Sequence, residues 1–226
     1  MPQFTAVAFD LDGTLYPNFS LYWRLLPFLC AHGKMMIRFG NARDQIRSEQ
    51  ELDPAAFRKD FYEYQARLTS ERLGEQPDQI KKKIEKLVYR GFEPHFLKVR
   101  LFPHVKETLD AFSAASLKLG ILSDFPPKAK LENMGIAHYW DAILCSEETG
   151  ALKPAIRPFS ALAEALKCPP EQILYVGNSL RYDVAGAKKA GMKTALITGK
   201  KNRKNAVPEA DFSFKDYRQL RDFVLQ

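Results

Sequence analysis

Residues 4 to 9 (Phe-Thr-Ala-Val-Ala-Phe) form a short apolar, β-favouring run that stops at Asp10-Leu11-Asp12-Gly13-Thr14-Leu15. Such a run, closed by Asp and Gly, predicts a buried strand ending in a turn. Side chains on extended backbone repeat every second residue, so Asp10 and Asp12 share a face and project into one mouth. Two carboxylates so placed can divide the work of group transfer. One attacks as a nucleophile, and the other gives and takes a proton. A bare Asp-x-Asp-Gly is more often a solvated turn.

The pattern then turns helical. Asp53-Pro54 predicts a helix start, with Phe57, Phe61, Tyr64 and Leu68 at helical spacing until Gly74. Pro77-Asp78 opens another helix, with Ile80, Ile84, Leu87 and Val88 as its apolar stripe and Gly91 beyond its end. Residues 18 to 49 also read as helical, although Pro27, Gly33 and Gly40 blur the boundaries. From residue 101, helices at 103–115, 127–134, 155–166 and 183–190 alternate with strands at 118–123, 142–145, 173–176 and 194–197. Strand-helix alternation predicts an α/β fold with a doubly wound parallel sheet. The core is expected over residues 1–16 and 101–226, interrupted by an all-helical inserted domain over 17–100. Linkers are expected near 16–20 and 98–102. Ligands in such sheets gather at the carboxyl ends of the strands.

Composition narrows the class. The chain has 226 residues and a formal net charge of +7. Residues 16 to 100 hold 16 Lys and Arg against 11 Asp and Glu, so most of the excess lies in the insert. No nucleic-acid motif accompanies it, and Lys81-Lys82-Lys83 reads as a solvated helix face. Cys30, Cys145 and Cys168 are scattered and odd in number, which argues against a disulfide framework or a zinc site and points to a reducing cytoplasm. No signal peptide is visible, and Leu21 to Leu29 is too short and too interrupted to span a membrane. The four histidines show no ligand spacing.

Three later segments place polar residues just after predicted strands: Ile121-Leu122-Ser123-Asp124, Gly150-Ala151-Leu152-Lys153-Pro154 with Pro158-Phe159, and Val176-Gly177-Asn178-Ser179-Leu180-Arg181-Tyr182-Asp183 continuing to Ala187, Ala190 and Gly191-Met192. Taken singly, a Ser-Asp pair also caps a helix and a Lys-Pro pair also makes a turn. With Phe9 to Leu15, these segments resemble the four motifs of the haloacid dehalogenase (HAD) superfamily, mostly Mg2+-dependent phosphatases. The helical insert between the first two motifs resembles the cap of the phosphoglycolate phosphatase-like subgroup.

The resemblance implies a phosphatase acting on a small phosphorylated metabolite through an aspartyl-phosphate. Asp10 is the implied nucleophile and Asp12 the acid and base. Ser123, the backbone of Asp124, and Lys153 are implied at the phosphoryl oxygens. Mg2+ is implied at Asp10, Asp12, Asn178 and Asp183, the last acting through water or on Lys153. Asn178 departs from the family pattern, which usually has Asp there, and a neutral amide oxygen weakens the expected metal affinity. Three alternatives stay open: a 2-haloacid dehalogenase, which needs no second acid, a sugar-phosphate mutase, and a binding or regulatory protein on a weakened enzyme scaffold. The basic run Lys200-Lys201-Asn202-Arg203-Lys204 is read as a solvated loop on the active-site side of the sheet.

Overall fold

The computed structural model describes residues 4–53, 58–91, 99–199 and 209–226, with the side chains of residues 20–25 outside that description. The core is a six-stranded sheet in the order β3-β2-β1-β4-β5-β6, with every neighbouring pair parallel. Its strands are β1 (Ala6–Phe9), β2 (Lys118–Ser123), β3 (Ala142–Cys145), β4 (Ile173–Gly177), β5 (Lys193–Ile197) and β6 (Phe212–Phe214). β1 is central because both its faces are apolar. Val7 and Phe9 pack with Val105, Leu109, Phe112, Leu220 and Val224 on one side. Ala6 and Ala8 pack with Phe159, Leu162 and Leu166 on the other. Parallel strands buried on both faces need helices over both.

Those helices are α4 (Val105–Ala114), α5 (Lys128–Asn133), α6 (Ile156–Leu166), α7 (Ala185–Lys189) and α8 (Tyr217–Leu225). The expected helix at 183–190 divides in two. A π-helical turn, Leu180–Val184, precedes α7 and starts on Ser179, whose side chain accepts from the Tyr182 amide. β6 and α8 lie beyond the expected elements. Asp216 and Gln219 form a reciprocal capping box at the start of α8.

The insert is built from α1 (Asn18–Leu52), α2 (Phe61–Leu73) and α3 (Pro77–Ile84), the last continuing as a π-helical turn, Glu85–Tyr89. Helix α1 runs uninterrupted for 35 residues through Pro27, Gly33 and Gly40. The expected helix start at Asp53-Pro54 is displaced. Asp53 closes α1, residues 54–57 lie outside the described set, and α2 begins after Asp60. Gly74 ends α2 in the left-handed conformation. The lysine face of α3 is exposed, with Lys81 paired to Glu63 and Lys83 to Glu75. Met35 and Phe39 of α1 pack with Ala66, Ile80, Ile84 and Val88 as the insert's own core. The chain leaving the core and the chain returning to it are joined where the Phe102 amide donates to the Leu15 carbonyl at 2.9 Å.

The insert also docks on the sheet's carboxyl edge. Ala42, Ile46, Phe61 and Leu68 enclose Leu152 of the core. Arg43 of α1 is buried, paired with Glu147, and donates to Gln65 at 3.0 Å and to the Asp124 carbonyl at 2.9 Å. Tyr89 donates to the same Glu147 carboxylate at 3.1 Å. Burial pushes Glu147 above its ordinary value, against the pull of Arg43. Removing one member of such a pair strands the other charge away from water. Glu147→Gln is therefore expected to lower unfolding stability by about 3–5 kcal/mol, and the double variant Arg43→Met/Glu147→Leu to recover most of it. Urea denaturation of the three proteins measures both effects.

Candidate active site

Every strand that borders β1 delivers a residue to its carboxyl end. The Asp10 amide donates to the Val176 carbonyl at 2.9 Å, continuing the β1–β4 ladder one residue past the strand. Gly13 then turns the chain with φ of +87°, and a side chain there would collide with Asn178 and Asn18. Thr14 returns to Asp10, its hydroxyl donating to Oδ2 at 2.7 Å. Tyr217 of α8 donates to the Thr14 carbonyl at 2.6 Å, so the last helix braces the loop.

The other Asp10 oxygen faces Lys153. Lys153 Nζ lies 2.7 Å from Asp10 Oδ1 and 2.7 Å from Asp183 Oδ1, and all three side chains are nearly inaccessible. Tyr175 stands behind the ammonium, 3.4 Å from Nζ, and donates to the Leu122 carbonyl at 3.2 Å. The second Asp183 oxygen accepts from the amides of Asn178 and Ser179 at 3.1 and 3.0 Å. A side chain at Gly177 would strike Asp183, so glycine there lets the β4 end close on the carboxylate.

Burial lifts the Asp10 carboxyl, Lys153 draws it back, and Asp183 and Asp12 lift it again, leaving it pushed up to about 7. Burial works against the Lys153 ammonium, but Asp10 and Asp183 outweigh it and hold it well above its ordinary value.

Asp12 is held by other partners. Its carboxylate accepts from Tyr16 and from Lys130 of α5, whose Nζ is 2.8 Å from each oxygen. Its main-chain carbonyl instead faces the Asn178 amide, 3.3 Å away. Ser123 ends β2 fully buried, and its oxygen accepts from the Phe125 amide at 3.2 Å, which leaves the hydroxyl hydrogen to donate. Asp124, expected near phosphate, turns its carboxylate to the insert. It accepts from Arg47 at 2.9 Å and from the Lys153 amide at 3.2 Å. Arg47 also donates to the Lys153 carbonyl at 3.0 Å and lies over the Tyr182 ring.

Among the described residues, no group of three or more His, Cys, Asp or Glu side chains converges on a metal position. Oxygen donors of mixed type are available at these strand ends: the Asp10 carboxylate, the Asp12 carbonyl and, 3.3 Å from that carbonyl, the Asn178 amide, which presents oxygen after a half-turn of its terminal group. Mg2+ accepts such hard donors and completes its shell with water and phosphate oxygens. The residues therefore fit a magnesium ion, with less anionic charge than an Asp at 178 would supply. The two Asp183 oxygens are already engaged by Lys153 and the two amides. A cavity of about 1250 Å³ opens between insert and core, lined by Tyr62, Lys86 and Tyr89 on one side and Pro127, Lys130 and Cys145 on the other.

Lys130, Arg43, Arg47 and Thr14 have no counterpart in the sequence-based site. Arg43 and Arg47 share a helix face four residues apart, but their partners Glu147, Asp124 and Lys153 are remote in sequence. The basic run at 200–204 lies outside the described residues, and no described helix is long and apolar enough to cross a membrane.

Residues 4–191 match the haloacid dehalogenase-like hydrolase family. The chain is 30% identical to a glyceraldehyde 3-phosphate phosphatase of Methanopyrus kandleri, over 97% of its own length and 96% of the relative's. It is 30% identical to a phosphoglycolate phosphatase of Salmonella typhi, over 85% and 80% of the two lengths. A HAD phosphatase structure from Thermococcus onnurineus superposes with a TM-score of 0.63 at 25% identity, covering 96% of each chain. An L-2-haloacid dehalogenase from Xanthobacter autotrophicus shares the fold, with a TM-score of 0.66 at 19% identity over 98% of each chain. The protein belongs to the haloacid dehalogenase-like hydrolases, and both of these curated relatives, aligned over most of its length, are named phosphatases.

The Asp124 carboxylate yields a pH prediction. Burial disfavours its charge, but Lys153, Arg43 and Arg47 outweigh burial and hold it below the usual range. A carboxyl lowered on folding stabilises the fold above its unfolded value, near pH 4, and loses that contribution as pH falls through the folded value. Asp124→Asn is thus expected to cost about 2–4 kcal/mol at pH 7. The gap to wild type narrows as pH falls below about 4, which denaturation at several pH values reads directly.

Proposed function

We propose that this hydrolase is a Mg2+-dependent phosphatase that cleaves a small phosphorylated metabolite through an aspartyl-phosphate on Asp10. The observation that carries the reading is the separation of two carboxylates two residues apart. Asp10 is buried against Lys153 and Thr14, while Asp12 is held apart by Lys130 and Tyr16. Asp10, fixed at Oδ1 by the lysine, presents its carboxylate in line to phosphorus. Its negative charge moves onto the phosphoryl oxygens during transfer, and Lys153 is already in place to meet it. Ser123 donates its hydroxyl to one of those oxygens. Asp12, protonated as substrate binds, gives that proton to the departing alcohol as the P–O bond breaks, and the carboxylate so formed takes a proton from the water that attacks the phosphoryl group on Asp10 and releases phosphate.

Asp10, the Asp12 carbonyl and Asn178 would hold the magnesium ion, with Asp183 fixing Lys153 and the Asn178 loop. Bound there, Mg2+ supplies neutralisation of phosphoryl charge. The insert lies over the carboxyl edge, and the cavity between insert and core offers room for the alcohol portion of a metabolite. Carbon–halogen hydrolysis by the same nucleophile has no use for a second acid, so a firmly held Asp12 favours the phosphate ester. The phosphatase relatives point the same way.

Asp10→Asn is expected to reduce hydrolysis of 4-nitrophenyl phosphate to below about a thousandth of wild type, with circular dichroism and thermal midpoint retained. Full activity in that variant contradicts the mechanism. EDTA is expected to abolish turnover, and Asn178→Asp to lower the Mg2+ concentration for half-maximal rate about tenfold, because an anion replaces an amide at a hard cation.

A further inference from the structure

Lys130 lies outside all four motif segments, and its ammonium reaches the carboxylate that the proposed mechanism uses twice. It sits on α5, a helix of the core and not of the insert. Its side chain is 9% exposed and Nζ is 2.8 Å from both Asp12 oxygens, across 118 residues of chain. The Phe125 ring lies beside it, 5.8 Å from Nζ, and the fully buried Tyr16 bonds the same carboxylate from within the first-motif loop. Together these contacts fix the carboxylate's rotation, while the residue's carbonyl faces Asn178. Residue 130 also lines the insert–core cavity, which places Asp12, its bonded partner, next to that cavity's wall.

We infer that Lys130 is a positioning residue that orients Asp12 for proton transfer to the leaving oxygen. The role rests on the phosphatase reading above and assigns Lys130 no contact with phosphorus. A carboxyl free to rotate would spend much of its time aimed elsewhere, and proton transfer demands hydrogen-bond distance and alignment; with Asp12 protonated for the first step, Lys130 keeps one oxygen and leaves the hydroxyl on the other to face the leaving group. The consequence depends on the leaving group. An alkyl oxygen leaves poorly as an alkoxide and needs the proton, whereas a nitrophenolate leaves readily without it. Losing the orienting ammonium therefore damages hydrolysis of alkyl phosphates far more than of aryl phosphates. A purely structural defect would lower both alike.

The test compares kcat/KM for glycerol 3-phosphate and 4-nitrophenyl phosphate in the full-length wild type, Lys130→Met and Lys130→Arg, at saturating Mg2+, with thermal midpoints measured alongside. The ratio kcat/KM reports the first phosphoryl transfer, the step in which the alcohol departs. Lys130→Met is expected to lose about tenfold or more on the alkyl ester and about threefold or less on the aryl ester, and Lys130→Arg to restore most of the alkyl rate. Equal losses on the two esters, or no loss on either, would overturn the role. Lys130→Gln replaces Lys130→Met if the latter does not fold, and failure of both to fold would make the lysine structural and overturn it too. A wild-type chain inert toward both esters would remove the phosphatase reading itself, whereas an active wild type with equal losses in the variant removes only the role of Lys130.

Discussion

Asp10 and Asp183 can be buried together at the carboxyl edge of the sheet because Lys153 Nζ stands 2.7 Å from each of them. Without the ammonium, two carboxylates in so dry a place would repel one another and lose hydration with nothing in return. With it, one positive charge organises three strand ends. Asp10 follows β1, Asp183 sits in the turn after β4, and Lys153 arrives from the segment after β3. Tyr175 of β4 and the Leu122 carbonyl of β2 hold the lysine from behind. Burial lifts the Asp10 carboxyl, Lys153 draws it down, and Asp183 and Asp12 lift it again, leaving it at about 7. A magnesium ion and a phosphate dianion would enter this site as compensating charges.

The insert is tied to the same centre. Arg47 bonds the carbonyl of Lys153 and the carboxylate of Asp124, and Asp124 bonds the amide of Lys153. Arg43, one turn earlier on α1, reaches Glu147 and the Asp124 carbonyl. Helix α1 thus bonds the Lys153 carbonyl directly and reaches the Lys153 amide through Asp124. Parting the insert from the core would exchange these buried polar contacts for water, at a cost set by charge at Asp124 and Glu147 as well as by apolar packing around Leu152.

Much of the fold was legible because its strands are apolar, short and separated by helices, and because their ends carry unusual residues. The Asp-x-Asp-Gly turn, the buried Lys153 and the glycine before Asn178 each mark a place where backbone or charge is under constraint. The edge was less legible: β6 is three residues long, and α8 announces itself mainly through the Asp216–Gln219 cap. The long α1 was obscured by Pro27 and two glycines, which local propensity counts against a helix and tertiary packing overrides. Arg43, Arg47 and Lys130 were hidden for a different reason. On one-dimensional inspection they resemble the other basic residues of solvated helix faces, and only folding brings them to acids 77 to 118 residues away. Asp124 was legible as a polar residue after a strand, but not as the joint between insert and core.

The central claim is that Asp10, with Asp12 as its proton-handling neighbour, becomes covalently phosphorylated. It is tested most directly by acid-quenching the enzyme during turnover of a phosphate ester, digesting it, and searching for a phosphoryl adduct by mass spectrometry. The account predicts a substoichiometric adduct on the peptide that carries Asp10, lost on treatment with hydroxylamine and absent from Asp10→Asn. Turnover with no adduct on that peptide, or an adduct on another residue that persists in Asp10→Asn, would contradict it.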